Sequence, residues 1–186
     1  MHTSDPLHVR LADPAADSPA VAEIYRPAVD GSVASFELEP PDAEEIARRM
    51  TAVLARTPWL VAVQEGRGIV GYAYAGPHQE RAGYRWSVNI SAYVDREVQG
   101  RGIGRRLYAE LLPILRRQGF VNVYAGVTLP NPASVALHER IGMSLVGVYR
   151  RIGFKFGAWH DVAWYGMRLV EPEGTPPDPI PLPELG

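Results

Sequence analysis

The chain has 186 residues, with 19 basic and 21 acidic side chains and a formal charge of −2. That length predicts one domain able to bury a substantial core, and the balanced charge excludes a strongly basic nucleic-acid binder. The absence of cysteine excludes disulfides, thiolate metal sites and a cysteine nucleophile.

The first strand is predicted over Leu7–Leu11. Ser18-Pro19 carries the signature of an N-cap followed by proline at the first helical position. Val21, Ile24, Tyr25 and Val29 follow at helical spacing and predict a helix over 19–29. A loop spans 31–41. Asp42 with Glu45 three residues on resembles a capping box, and Ile46, Met50, Val53 and Leu54 form the apolar stripe of a second helix ending near Thr57-Pro58. Trp59–Gln64 and Ile69–Ala75 read as a hairpin around Glu65-Gly66-Arg67-Gly68. After a polar loop, Ser87–Val94 alternates, with Ser87, Asn89, Ser91 and Tyr93 on one face and Val88, Ile90, Ala92 and Val94 on the other. A glycine-rich turn over 99–104 leads into a helix carrying Leu107, Leu111, Leu112 and Leu115, with Pro113 inside it and Gly119 as its stop. The remaining predictions are a strand over 121–127, a short helix over 131–140 closed by Gly142, and strands over 144–152 and 161–170.

Residues 171–186 hold six prolines, which excludes regular helix or sheet and leaves an extended surface arm or a disordered tail. The order of elements predicts an α/β or α+β layered fold, with one domain over 1–170 and the proline-rich tail after it. Met1 to Asp17 lacks a basic segment followed by an apolar run, and no apolar stretch approaches the ~20 residues of a membrane span. A cytoplasmic protein with no membrane partner is the expectation.

Chemistry concentrates in Gln99-Gly100-Arg101-Gly102-Ile103-Gly104. Glycines let backbone approach a ligand closely, and a helix N-terminus presents free N–H groups and the positive end of its dipole, which together suit a pyrophosphate. The motif has no Gly-Lys-Ser/Thr of a nucleotide P-loop. Its G-x-G-x-G spacing and the uncharged strand that follows also disagree with the dinucleotide fingerprint.

This stretch, with Val94-Asp95 before it, resembles the Q/R-x-x-G-x-G/A acetyl-CoA motif of GCN5-related N-acetyltransferases. Asn131-Pro132-Ala133-Ser134-Val135-Ala136-Leu137-His138-Glu139-Arg140-Ile141-Gly142-Met143 resembles that superfamily's N-x-x-S-x-x-L segment. His138, together with Ala73–Pro77, Tyr84-Arg85-Trp86 and Gly153–Val162, resembles the phosphinothricin and methionine sulfoximine acetyltransferase subfamily. The resemblance spans about residues 7–170. It implies a mixed, twisted central sheet with helices on both faces and two splayed strands, here Ser87–Val94 and Val121–Val127. Pantetheine would pair with backbone near Tyr93 and Val94, and the pyrophosphate would rest on Gly100, Arg101, Gly102, Ile103, Gly104 and Arg105 beside Gln99. Asn131 and Ser134 would hold the pantetheine side, and Arg96, Arg101 or Arg105 the adenosine phosphates.

The activity implied is direct acetyl transfer from acetyl-CoA to a small-molecule amine, with no metal, no nucleic-acid partner and a homodimeric assembly. His138 is the implied proton-transfer residue, since imidazole titrates near neutral pH. The strand that matches Ser87–Val94 carries a glutamate base in close relatives, and here Asn89 stands at that position. A carboxamide cannot take up the proton, so the base is expected elsewhere, with Glu37, His138 or a water chain as candidates. A slow enzyme or a silent acyl-CoA-binding protein stays open. For the acceptor, Phe36 and Glu37 lie in one loop, and Arg81, Tyr84 and Arg85 in another. Arg81 or Arg85 is the expected carboxylate clamp. Glu37 would repel an anion or attract an ammonium, and a peptide N-terminus or a polyamine remains an alternative acceptor. His2, His8 and His78 are too scattered for a metal cluster. Trp159, His160 and Asp161 read as a turn with a structural His160, and Tyr149 and Tyr165 as exposed aromatics suited to a dimer interface.

Overall fold

The computed structural model describes residues 6–186, so His2 lies outside the described residues. Its strands are β1 (Leu7–Leu11), β2 (Trp59–Gln64), β3 (Gly68–Pro77), β4 (Ser87–Val94), β5 (Asn122–Thr128), β6 (Ser144–Lys155) and β7 (Ala158–Arg168). Its helices are α1 (Pro14–Asp30), α2 (Ala43–Leu54), α3 (Ile103–Arg117) and α4 (Pro132–Arg140). The strands form one mixed sheet in the order β1-β2-β3-β4-β5-β7-β6. Alternation along each strand gives the sheet two apolar faces. Val88, Ile90, Val123, Ala125 and Val127 pack against Leu107, Leu111 and Leu115 of α3 and, at the margin, Leu137 of α4. On the other face Val61, Trp59 and Tyr72 pack against Val21 and Tyr25 of α1 and Ile46 and Met50 of α2.

Several boundaries differ from the sequence expectation for physical reasons. α1 begins at Pro14, not Pro19. Asp13 caps it by accepting from the Ala15 and Ala16 N–H groups at 2.9 and 3.3 Å, while the Asp17 carboxylate accepts from Asp13 N–H at 2.7 Å and pairs with Arg10 at 2.6 Å. Asp13-Pro14 and Ser18-Pro19 carry the same start signal, and the first of them starts the helix. Asp42 caps α2 through Glu45 N–H at 2.9 Å, but the Glu45 side chain turns to Arg48 and Arg49 and leaves the capping box half made. α3 ends on Gln118, followed by left-handed Gly119 with Phe120 N–H donating back to Leu115 O, a Schellman close. Trp159, His160 and Asp161 lie within β7, and the turn falls at Phe156-Gly157 instead. His160 Nε2 pairs with Lys155 O at 3.0 Å. Tyr165 is buried, not exposed.

The proline-rich tail is an extended arm. Ile180 N–H donates to Gln118 O and Leu182 N–H to Arg56 O. The fully buried Gln118 amide donates to both Arg56 O and Ile180 O. Trp86 Nε1–H donates to Pro177 O at 2.7 Å. Proline supplies no N–H, so the arm is held through its few free donors and through its carbonyls.

Candidate active site

β4 and β5 run parallel, but they pair only where Ser87–Asn89 meets Asn122–Tyr124. Beyond Asn89, β4 stays on β3 as far as Val94 and β5 stays on β7 as far as Thr128. The sheet therefore opens between its two central strands. Ser87 O accepts from His78 N–H and Asp95 N–H donates to Val70 O, so odd-numbered residues of β4 direct their backbone toward β3 and even-numbered ones toward the opening. Ala92 and Val94 face the split. Tyr93 does not: its backbone is spent on β3, and its ring packs against Tyr25 and Tyr72 with centroids 4.9 and 5.3 Å away. The Gln99 amide folds back to donate to Val94 O at 3.0 Å.

The loop at the wide end of the split leads straight into α3. Gly100 and Gly102 have φ of 77° and 81°, a region that favours glycine. Arg106 N–H is the donor that returns to Gly102 O, so the N–H groups of Ile103, Gly104 and Arg105 at the first turn have no partner in the helix. They form an anion cradle at the positive end of the helix dipole. Buried Gly104 lets α4 come close, since a Cβ there would lie 3.0 Å from Leu137 Cδ2. Arg96 is engaged elsewhere, donating to Pro27 O at 2.8 Å. Arg101 and Arg105 are exposed and have no ion pair among the described residues.

On the same face of the sheet, Asn131 caps α4 by accepting from Ser134 N–H at 3.1 Å. His138 is 5% exposed. Its Nδ1 lies 2.7 Å from Ser134 O, which can only accept, so Nδ1 carries the proton. Nε2 then accepts from Tyr108 O–H at 3.3 Å. Burial pulls the His138 pKa below that of an ordinary histidine, against the opposing effect of the Ser134 carbonyl.

The opposite face carries Asn89, since β4 alternates and Tyr93 points into the α1–α2 cluster. Gly76 stands opposite Asn89 in the hairpin and leaves open space where a side chain would be. Diagonally across it, His78 Nδ1 reaches Asn89 Oδ1 at 2.7 Å. The imidazole stacks on Tyr124 of β5 at 4.5 Å and meets Trp164 of β7 edge-on at 5.7 Å. His78 also lines an open depression of about 710 Å³ with Pro77, Gln79, Glu80, Arg81 and Tyr84.

The remaining expected acceptor-site residues separate. Glu37 is bound by the Arg49 guanidinium at 2.7 and 3.1 Å and by Tyr25 O–H at 2.8 Å. Burial alone would raise its pKa, but these bonds outweigh that and hold the carboxyl below its usual range. Phe36 lies over Gly153, where a Cβ would come within 2.3 Å of the ring. Arg85 pairs with Asp178 of the tail at 2.8 Å and stacks on Trp86. Arg81 has no ion pair among the described residues and borders the depression with Tyr84.

The acetyltransferase (GNAT) domain family matches residues 16–164. The chain belongs to that family. It is 39% identical to a phosphinothricin N-acetyltransferase of Streptomyces viridochromogenes, over 94% of this chain and 93% of the relative. It is 34% identical to an L-methionine sulfoximine/L-methionine sulfone acetyltransferase of Salmonella typhimurium, over 89% and 96%. Among solved structures, a GNAT phosphinothricin acetyltransferase of Sinorhizobium meliloti in complex with acetyl-CoA superposes with a TM-score of 0.83 at 36% identity, covering 87% of this chain and 88% of the other. This GNAT protein is an N-acetyltransferase with the mixed sheet and paired helix layers of that fold.

The opening between β4 and β5, the glycine turn and α4 are thus formed by the segments that carry the motifs. His78, which the motifs did not single out, stands against Asn89. Its signal was present: it follows β3 by one residue and stands diagonal to Asn89 across a glycine, within reach of a long side chain.

Proposed function

We propose that the protein transfers the acetyl group of acetyl-CoA directly to the amino group of a small amino-acid-like substrate of the phosphinothricin or methionine sulfoximine type. The observation that carries this reading is the opening between β4 and β5, with the Gly100–Arg105 cradle at its wide end and the Asn89 face beneath it. Pantetheine would pair with Ala92 and Val94, the pyrophosphate would sit on the cradle, and Arg101 and Arg105 would meet the outer phosphates. Asn131 and Ser134 shape the wall on that side. His138 and Tyr108 form a buried hydrogen-bonded pair beside it; in this reading they relay to the departing thiolate the proton that the nitrogen loses, and they lie on the opposite face from the incoming amine.

Arg81 is the carboxylate clamp of this reading, because Arg85 is occupied by Asp178. Glu37 is neutralised by Arg49, so it is not free to attract a polyamine. The test is acceptor-dependent release of the CoA thiol. Saturable release is expected with L-phosphinothricin or L-methionine sulfoximine and not with spermidine. Arg81→Ala should raise KM for the acceptor about tenfold to a hundredfold, the loss of one charge-assisted hydrogen bond. Release with spermidine alone would overturn the amino-acid reading.

The same reading sets the protein in the cytoplasm as a homodimer. β6 is a sheet edge that exposes Leu145, Val146, Tyr149, Ile152 and Phe154, with Val146 at 64% exposure. An apolar edge of this kind invites a second copy. Light scattering should give a dimer for the native protein and a monomer for Val146→Asp, and a native monomer would remove the assembly.

A further inference from the structure

Asn89 leaves the reaction without a base on the face where the acceptor arrives, and the structure fills that place with a neighbour. We propose that His78 Nε2 is the general base that takes the proton from the acceptor ammonium, and that Asn89 is its positioning residue. This rests on the acetyl-transfer reading above. Asn89 Oδ1 can only accept, so the 2.7 Å contact fixes the proton on Nδ1 and leaves the lone pair on Nε2. Tyr124 supports one face of the ring and Trp164 approaches it edge-on, so the imidazole is held by three strands at once.

The place is right for the chemistry. Asn89 and Tyr124 are the last paired residues before β4 and β5 part, so the dyad stands at the apex of the split. It also borders the depression that holds Arg81. The two side chains expected from the sequence are engaged elsewhere: Glu37 is held by Arg49 and Tyr25, and the Nε2 of His138 accepts from Tyr108 on the opposite face. The groups facing His78 are Tyr124 from β5, Tyr84 from the 82–84 turn, Trp164 from β7, and Glu80 and Arg81 from its own loop. Among the described residues no carboxylate is bonded to the ring.

The step balances without a further reactant. The ammonium gives one proton to His78 Nε2, and the freed amine lone pair forms the N–C bond to the thioester carbonyl. The C–S bond breaks and CoA leaves as thiolate. The second proton lost by the nitrogen goes to the thiolate, giving the CoA thiol, and the imidazolium returns its proton to water.

The test compares His78→Phe, which keeps a ring against Tyr124 but has no base, with the native enzyme. Placed general bases contribute about 10²–10⁴-fold, so kcat/KM for the acceptor should fall by that amount while the Kd for acetyl-CoA stays within twofold. The acidic limb of the kcat/KM profile should move up to the acceptor's own ammonium ionisation. Asn89→Glu added to His78→Phe puts a carboxylate back on the strand and should recover at least tenfold, by the same reckoning. Asn89→Ala should lower kcat and keep the acidic limb, as a positioning role requires. Independently of activity, nitrogen NMR of the native imidazole should show the Nδ1–H tautomer. An Nε2–H tautomer, or a His78→Phe enzyme with native kcat/KM and its acidic limb, overturns the proposal while leaving acetyl transfer standing. A native protein that binds acetyl-CoA and acetylates no amine removes both readings.

Discussion

Gly102→Val is expected to weaken acetyl-CoA binding about tenfold to a hundredfold, the equivalent of the ~1–3 kcal/mol that a non-glycine residue pays in a sparsely populated backbone region. Gly102 is the N-cap of α3, with φ 81° and ψ 7°, and its added Cβ would touch nothing within 4 Å. The effect therefore arises from backbone conformation, not from a clash. A β-branched residue resists the left-handed region most strongly, so the loop would leave it and turn the N–H groups of 103–105 away from their common focus. Gly102→Asn is the control, because asparagine tolerates that region. Calorimetry should rank affinity as Gly, then Asn, then Val, with similar melting temperatures throughout. Equal affinity for Gly and Val would show that the cradle does not depend on this turn.

The ranking separates what the residues announced from what only folding reveals. The glycine turn and the helix start after it were legible because they are local: glycines, a strand before and a helix after lie within one short stretch. β1, β2 and β4 were legible to the residue, because each is bounded by a turn signal and alternates or runs apolar. α1 was misplaced because two aspartate- or serine-proline pairs compete one turn apart, and only the tertiary bond from Arg10 to Asp17 shows which one caps. The engagement of Arg85 and Glu37 in ion pairs was not legible. Their partners, Asp178 and Arg49, are 93 and 12 residues away, and an ion pair at such range leaves no periodic trace. The His78–Asn89 pair is intermediate. Hairpin register brings them together once Gly76 is set opposite Asn89, and that register follows only after the loop between β3 and β4 is measured.

Lys155→Met should cost about 2–6 kcal/mol of folding stability, because it strands two buried carbonyls at about 1–3 kcal/mol each. Lys155 is the chain's one lysine. The fold places it at the end of β6, 4% exposed, with Nζ donating to Val29 O at 2.6 Å and Ser35 O at 2.7 Å. It ties the end of α1 and the loop at 31–41 to the β6–β7 hairpin. Methionine fills similar space and keeps the apolar contacts, so the loss reports the two hydrogen bonds. Against a typical total of 5–15 kcal/mol, the urea midpoint should fall clearly with an unchanged slope. The same loop carries Phe36, seated on Gly153, and Glu37, bonded to Arg49. Neither residue borders the depression at Arg81, so KM for the acceptor and the Kd for acetyl-CoA should both stay near native. A matched loss of both affinities would mean that Lys155 supports the whole sheet, not the 31–41 loop alone.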